Sequence, residues 1–221
     1  MRPWGMKFLY DNEDWLETKS NLDPPDSASL CFWMGVENFD TWIMGNDFYS
    51  WDVGTNSSNK LVNALNHSWT GALASTAALN SNQLYHIVCT AGSDTTAQIY
   101  IDGAFDSETD GHFLTPGASH FQIGNVADDT PYQFGGYLQD VRIYNRVLTA
   151  NEVQTIYASQ GNDSIVSGLT NRWLLNDGVE YSSTADSTVQ DYGPDQNHMI
   201  VKSGEPFYMG TELKIGRKYH K

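Results

Sequence analysis

GYLQDVRIYNRVLTANEVQTIYAS, residues 136–159, decides the fold, because it joins a buried strand to a fully specified helix start. Leu138, Val141 and Ile143 supply an apolar face whose step of three, followed by a step of two, fits a strand with one bulge. Thr149 is placed to N-cap a helix, Glu152 sits three residues later to close a capping box, and Leu148 and Val153 are spaced as a hydrophobic staple. The cap is worth about 1 kcal/mol. Val153, Ile156 and Tyr157 share one helical face, and Gly161 is placed to end the helix in a left-handed conformation.

Working outward, the composition is that of an all-β chain. Aromatics make up 13% of 221 residues, and short apolar runs alternate with Asn, Asp, Gly and Ser clusters. Sandwiches of this length commonly form a single domain. Only one helix, near 149–159, is legible, which argues against the repeated crossovers of an α/β fold. Asp102 and Gly103, between AQIYI and AFDSE, supply the two positive φ values of a type I′ hairpin. In LYHIVCT both alternate sets are largely apolar, as in a central strand covered on both faces.

The strand and short helix of 136–159 resemble the closing segment of laminin G-like jelly-roll domains, in the concanavalin A-like and pentraxin-like superfamily. GMKFLYDNEDWLET (5–18), SASLCFWM (27–34), LYHIVCTAGSDTTAQIYIDGAF (84–105) and FQIGN (121–125) are similar to that family's successive strands, in its order. The resemblance implies a two-sheet antiparallel sandwich and leaves function open, since the fold carries lectins, adhesion modules, enzymes and structural proteins alike.

The order of the parts departs from the family. Residues 168–202 are similar to text that normally opens such a domain, yet here they come last. Either they begin a truncated second domain, or the domain is circularly permuted and they complete it. A fragment of about fifty residues carrying Trp173, Leu174, Leu175, Ile200 and Phe207 covers its own apolar surface poorly. The expectation is therefore one sandwich over 1–221: a main body at 1–160, a permuted opening strand and loop at 168–210, and a basic arm at 211–221.

Net charge is −15, and between Lys19 and Arg142 Lys60 is the only basic residue among fourteen Asp and Glu. Such a surface repels nucleic acid and anionic membranes. Lys214, Arg217, Lys218 and Lys221 gather basic charge at the C-terminus, read either as a solvated end or as an arm that docks to an acidic protein partner or another copy. No run approaches the roughly 18 apolar residues of a membrane span, and the N-terminal residues lack a signal-peptide core. The places expected for the protein are a virion surface or, failing that, the extracellular space or cell surface. Cys31 and Cys89 read as buried free thiols, with a cross-strand disulfide as the alternative.

For chemistry, Asp11, Asn12 and Asp14 follow one strand, while Asn125, Asp128 and Asp129 follow FQIGN. In pentraxin-like relatives loops near these places hold calcium, and hard oxygen donors at close spacing suit that ion. Asp191, Asp195 and Asn197, in DYGPDQNH, resemble the family's opening-loop motif and read first as a structural turn, then as metal ligands. Trp42, Trp51, Trp69 and Tyr132 are candidates for stacking on sugars, against core packing as the alternative. Glu13, Asp14 and Glu17 do not alternate, no other strand carries two acids at spacing two with flanking aromatics as a sandwich glycosidase requires, and the six His show no metal-ligand spacing. His86, mid-strand, reads as a satisfied core or interface histidine rather than a catalyst. The expected function is binding without catalysis, as an assembled surface component of a phage-like particle that docks to protein and contacts glycans; the alternative is a lectin-type module.

Overall fold

The described residues of a computed structural model, 5–10, 15–22, 25–46, 51–65, 72–94, 96–110, 119–126, 132–175 and 188–202, form fifteen strands and one helix. In order they are β1 Met6–Phe8, β2 Trp15–Thr18, β3 Ala28–Val36, β4 Thr41–Gly45, β5 Trp51–Thr55, β6 Lys60–Leu65, β7 Leu73–Ala78 and β8 Leu84–Ala91. There follow β9 Ala97–Ile101, β10 Ala104–Thr109, β11 Gln122–Ile123, β12 Gly136–Tyr144, α1 Ala150–Ser159, β13 Leu169–Trp173, β14 Thr188–Val189 and β15 Met199–Lys202.

Two antiparallel sheets face each other, as expected for a jelly-roll sandwich. One runs β1-β12-β3-β8-β9-β10 with β13 also on β12; the other runs β14-β15-β2-β11-β4-β5-β6-β7. Their inner faces share one core, which includes Phe32, Ile87, Ile99, Val53 and Leu61. The apolar steps along β12 predict its bulge correctly: the register with β3 shifts between Gln139 and Arg142, where Asp140 has φ 49°.

The local signals around α1 act as read. Thr149 Oγ1 accepts from Glu152 N–H, and the Glu152 carboxylate accepts from Thr149 N–H. The helix ends at Ser159 as expected, but the left-handed conformation begins one residue before Gly161, at Gln160 (φ 54°), and Gly161 (φ 81°) continues it. Ser29 Oγ ties the helix approach to β3 by accepting Leu148 N–H and donating to Arg146 O. Val153 and Ile156 then cover Cys31, Val88, Tyr100 and Tyr144, which makes a second apolar layer outside the seven-stranded sheet.

The late segment contributes to both sheets. Trp173 pairs with Val141, and Met199–Lys202 pair with Thr18–Trp15 in reverse order. Trp173 is fully buried and stacks on Phe121, ring centroids 5.9 Å apart and planes 9° apart. β3 runs along one side of β12, so β1 and β13 share the other: Met6 pairs with Leu138, and Val141 with Trp173. That edge strand is assembled from two pieces of chain more than 160 residues apart.

The cysteines are free and cannot pair where they stand. The register sets Leu30 opposite Cys89 and Cys31 opposite Val88, so Cys89 faces the sandwich core while Cys31 faces the helix. Burial pushes both thiols up in pKa, away from the reactive thiolate.

Candidate functional site

Three stretches distant in sequence meet at one end of the eight-stranded sheet. Asp191 organises the meeting: its carboxylate accepts from Asn171 Nδ2, Arg172 N, Gly193 N and Asn197 N, all within 2.8 Å. Four donors exhaust one carboxylate, so Asp191 builds the turn and has no oxygen left for a metal. Gly193 lies against β13 so closely that a Cβ would sit 2.4 Å from Thr170 O. The turn is next tied to the exit of β2. Asn197 Nδ2 donates to Ser20 O, Ser20 N–H donates to Asn197 Oδ1, and Lys19 N–H donates to His198 O. His198 Nδ1 accepts Asp191 N–H, which places the ring proton on Nε2.

Between turn and β2 exit lies a recess of about 430 Å³, lined by Lys19, Ser20 and Asn21 on one side and by Asp195 to His198 on the other. Its volume is within the roughly 300–1,000 Å³ of small-molecule sites. Its lining differs from that of an apolar ligand site, because every side chain is polar. Asp195 and Gln196 are exposed, and Lys19 Nζ, held at 2.9 Å from Thr188 Oγ1, retains protons to donate. Tyr192, on the same turn, is 56% exposed. The arrangement offers donors and acceptors together, which suits a ligand that presents many hydroxyls.

The sequence-level candidates divide among several places. Asp195 and Asn197 line the recess, whereas Asp191 lies beneath it. Trp51 does not face solvent: it is turned between the sheets and donates Nε1–H to Asn63 Oδ1 at 2.8 Å. Trp42 is also buried, packed with Val62, Ala64 and Val126 on the outer side of its sheet. Core packing thus displaces the stacking role at both tryptophans. Tyr132 is 45% exposed, and its carbonyl accepts Trp42 N–H. Asn125 is fully buried; its Oδ1 takes Val126 N–H, and its Nδ2, a donor end ill suited to a cation, has no partner.

Asp11, Asn12, Asp14, Asp128, Asp129, Trp69, Lys214, Arg217, Lys218 and Lys221 lie outside the described residues. Among the described residues no three His, Cys, Asp or Glu side chains could hold a metal, and no helix there is long and apolar enough to cross a membrane.

His86 is buried as expected but not satisfied. Its ring adjoins the stacked pair Trp33 and Tyr157, centroids 4.9 and 6.0 Å away, and Nδ1 has no hydrogen-bond partner. Burial, reinforced by the positive charge of Arg142, lowers its pKa to about 3.

Beside it, charge is consumed internally. Arg142 donates to Asp140 at 2.7 Å and to Asp163 at 2.9 Å, and Arg172 joins from β13 at 2.7 Å from Asp140. Both arginines also donate to Gly161 O. Burial works against these charges, but the hydrogen bonds win: Arg142 is raised and Asp140 lowered from their ordinary pKa values. The cluster staples β12, β13 and the helix exit together and is sealed from ligands.

The chain belongs to the concanavalin A-like lectin/glucanases superfamily, whose laminin G-type profile matches residues 11–154. It is similar to a candidate carbohydrate binding protein from Bacteroides ovatus ATCC 8483, at 18% identity and a TM-score of 0.69. That match covers 94% of this chain and 62% of the other, so this chain spans less than two thirds of that relative. A heptameric SAP-like pentraxin from Limulus polyphemus is similar over 95% of both chains, at 14% identity and a TM-score of 0.63. Trypanosoma rangeli sialidase matches 62% of this chain and 23% of its own, at 17% identity and a TM-score of 0.51. At these identities the likenesses show the fold alone. No protein with a curated description matches the sequence.

Proposed function

We propose that this protein is a lectin-type module that binds glycan hydroxyls in the recess between the β2 exit and the 191–198 turn. The observation that carries the reading is the lining itself: a carboxylate, an ammonium, amides, a hydroxyl and an imidazole converge where no apolar side chain intrudes. A sugar brings both donors and acceptors, and only a ligand of that kind repays desolvation of so mixed a set. The frame is preorganised by Asp191 and Asn197, which limits the ordering cost of binding. The relatives described above support this alternative better than a particle component.

Binding without catalysis is supported by the state of the two acids. A glycosidase needs two free carboxyls across its cleft; here Asp191 is saturated by four donors, which leaves Asp195 as the one unspent carboxyl among the described residues that line the recess.

A glycan array probed with the whole chain and with Asp195→Ala and Lys19→Ala variants tests the proposal. Both positions are exposed, and Asp195 makes no side-chain hydrogen bond among the described residues, so folding should persist. Discrete neutral-glycan signals that drop in both variants are expected; signals indifferent to both substitutions would remove the recess from the account.

A further inference from the structure

A second surface lies on the outer face of the other sheet, on the β9–β10 hairpin. Asp102 (φ 52°) and Gly103 (φ 80°) turn the chain as the sequence predicts, and a Cβ on Gly103 would collide with Tyr157 at 2.8 Å. Tyr100 then pairs with Phe105 and Gln98 with Glu108, with a bulge between Phe105 and Ser107. The extra residue changes which side chains share a face. Asp106 turns toward the opposite sheet, where its carboxylate accepts Thr76 N–H at 2.6 Å and Ala77 N–H at 3.1 Å. Phe105 and Glu108, three residues apart, consequently both face outward with Tyr100 and Gln98.

These four side chains form an ordered strip. Phe105 is 52% exposed and meets Tyr100 edge to face, centroids 5.7 Å apart. The Tyr100 hydroxyl donates to Gln98 Oε1 at 2.9 Å, and Gln98 Nε2 donates to Glu108 Oε2 at 3.2 Å. An aromatic surface is thus held beside a fixed amide and carboxylate, two strand positions or about 7 Å along. That separation is about the width of one sugar ring.

We propose that the strip is a second glycan platform, which takes a neutral or amino pyranose. Its C–H face stacks on Phe105, and its hydroxyl or ammonium protons go to Glu108. Acidic sugars are disfavoured, because Lys60 is the only basic residue between Lys19 and Arg142 in a chain of net charge −15. The inference rests on the glycan-binding reading but uses a different sheet and different residues. Two platforms on one chain let a polysaccharide surface be gripped at two points, which multiplies retention without a new contact.

Affinity electrophoresis of the full chain tests it, in gels containing xylan, mannan, hydroxyethyl cellulose, glycol chitosan or polygalacturonate. Retardation is expected in at least one neutral or amino-sugar gel and is weakest in polygalacturonate. Phe105→Ala should weaken it about three- to tenfold, as for loss of one aromatic contact, and Phe105→Trp should retain it. Glu108→Ala should weaken it as well. If Phe105→Ala and Glu108→Ala migrate like the parent wherever the parent is retarded, the platform is refuted, while an effect of Asp195→Ala in the same gels leaves the recess standing. If the parent is retarded in none of the gels, both readings fall.

Discussion

The outer flank of β12 and the turn at 191–198 use similar chemistry to opposite ends. At the first, Asp140, Asp163, Arg142 and Arg172 meet under the helix exit and satisfy one another, so nothing remains to offer a ligand. At the second, Asp191 and Asn197 absorb the internal demands of the turn, and Asp195, Gln196 and Lys19 are left facing outward. Polar side chains become a site only where the frame is satisfied by a separate set of groups.

Breaking the sealed flank should have the largest effect. Arg142→Ala strands Asp163 and half of Asp140's bonding in a buried setting, and should cost about 3–5 kcal/mol, read as a fall in the urea midpoint. Trp173→Ala should cost a similar 3–5 kcal/mol by opening a cavity against Phe121. Truncation after residue 167 should go further and abolish cooperative melting of the rest, because it removes strands from both sheets; an unchanged melting temperature would show that the late segment is dispensable.

Acid should weaken the buried side of the molecule. The unfolded chain protonates His86 near 6.5 and the folded chain only near 3. Between those values the unfolded state holds more protons, so stability falls as pH drops, by at most about 1.4 kcal/mol per unit. Glu152, lowered to about 2 chiefly by Arg146, and Asp140, also lowered, add losses of the same sign that begin only below the ordinary carboxylate values. A His86→Leu variant should therefore flatten the decline between pH 6.5 and 4.5 and leave the steeper acid limb intact. An unaltered slope in urea titrations across that window would reject the assignment.

Smaller effects are expected at the open regions. Asp106→Ala frees two N–H groups on the edge strand β7 and should cost about 0.5–1.5 kcal/mol, with self-association by sedimentation as its second sign. Asp195→Ala should alter stability by less than about 0.5 kcal/mol, while it lowers glycan retention.

Much of the scaffold could be read in advance because it is local. The bulge beside Asp140, the Thr149–Glu152 capping box and the Asp102-Gly103 turn each involve residues a few positions apart, whose spacing states the geometry. Exposure was less legible. Trp51 and Tyr132 both sit near loops in the sequence, yet Tyr132 lies outside any strand and is open to solvent, while Trp51 points between the sheets by a strand parity that a single bulge can reverse. Phe105 escaped notice for the same reason: in AFDSE an unbroken alternation would separate it from Glu108. Lys19, Gln196 and His198 gave no signal, since their role comes from meeting.

From the order of its residues alone, this chain specifies a two-sheet sandwich with one capped helix, an acidic surface, and two cysteines suited to burial. Folding decided that Asp191 is spent within its turn, that Trp42 and Trp51 serve the packing, and that Ser20 meets Asn197 across 177 positions. The division has one cause: turns, caps and alternation are interactions between near neighbours, whereas a recess exists only where distant strands have been brought to the same end of a sheet.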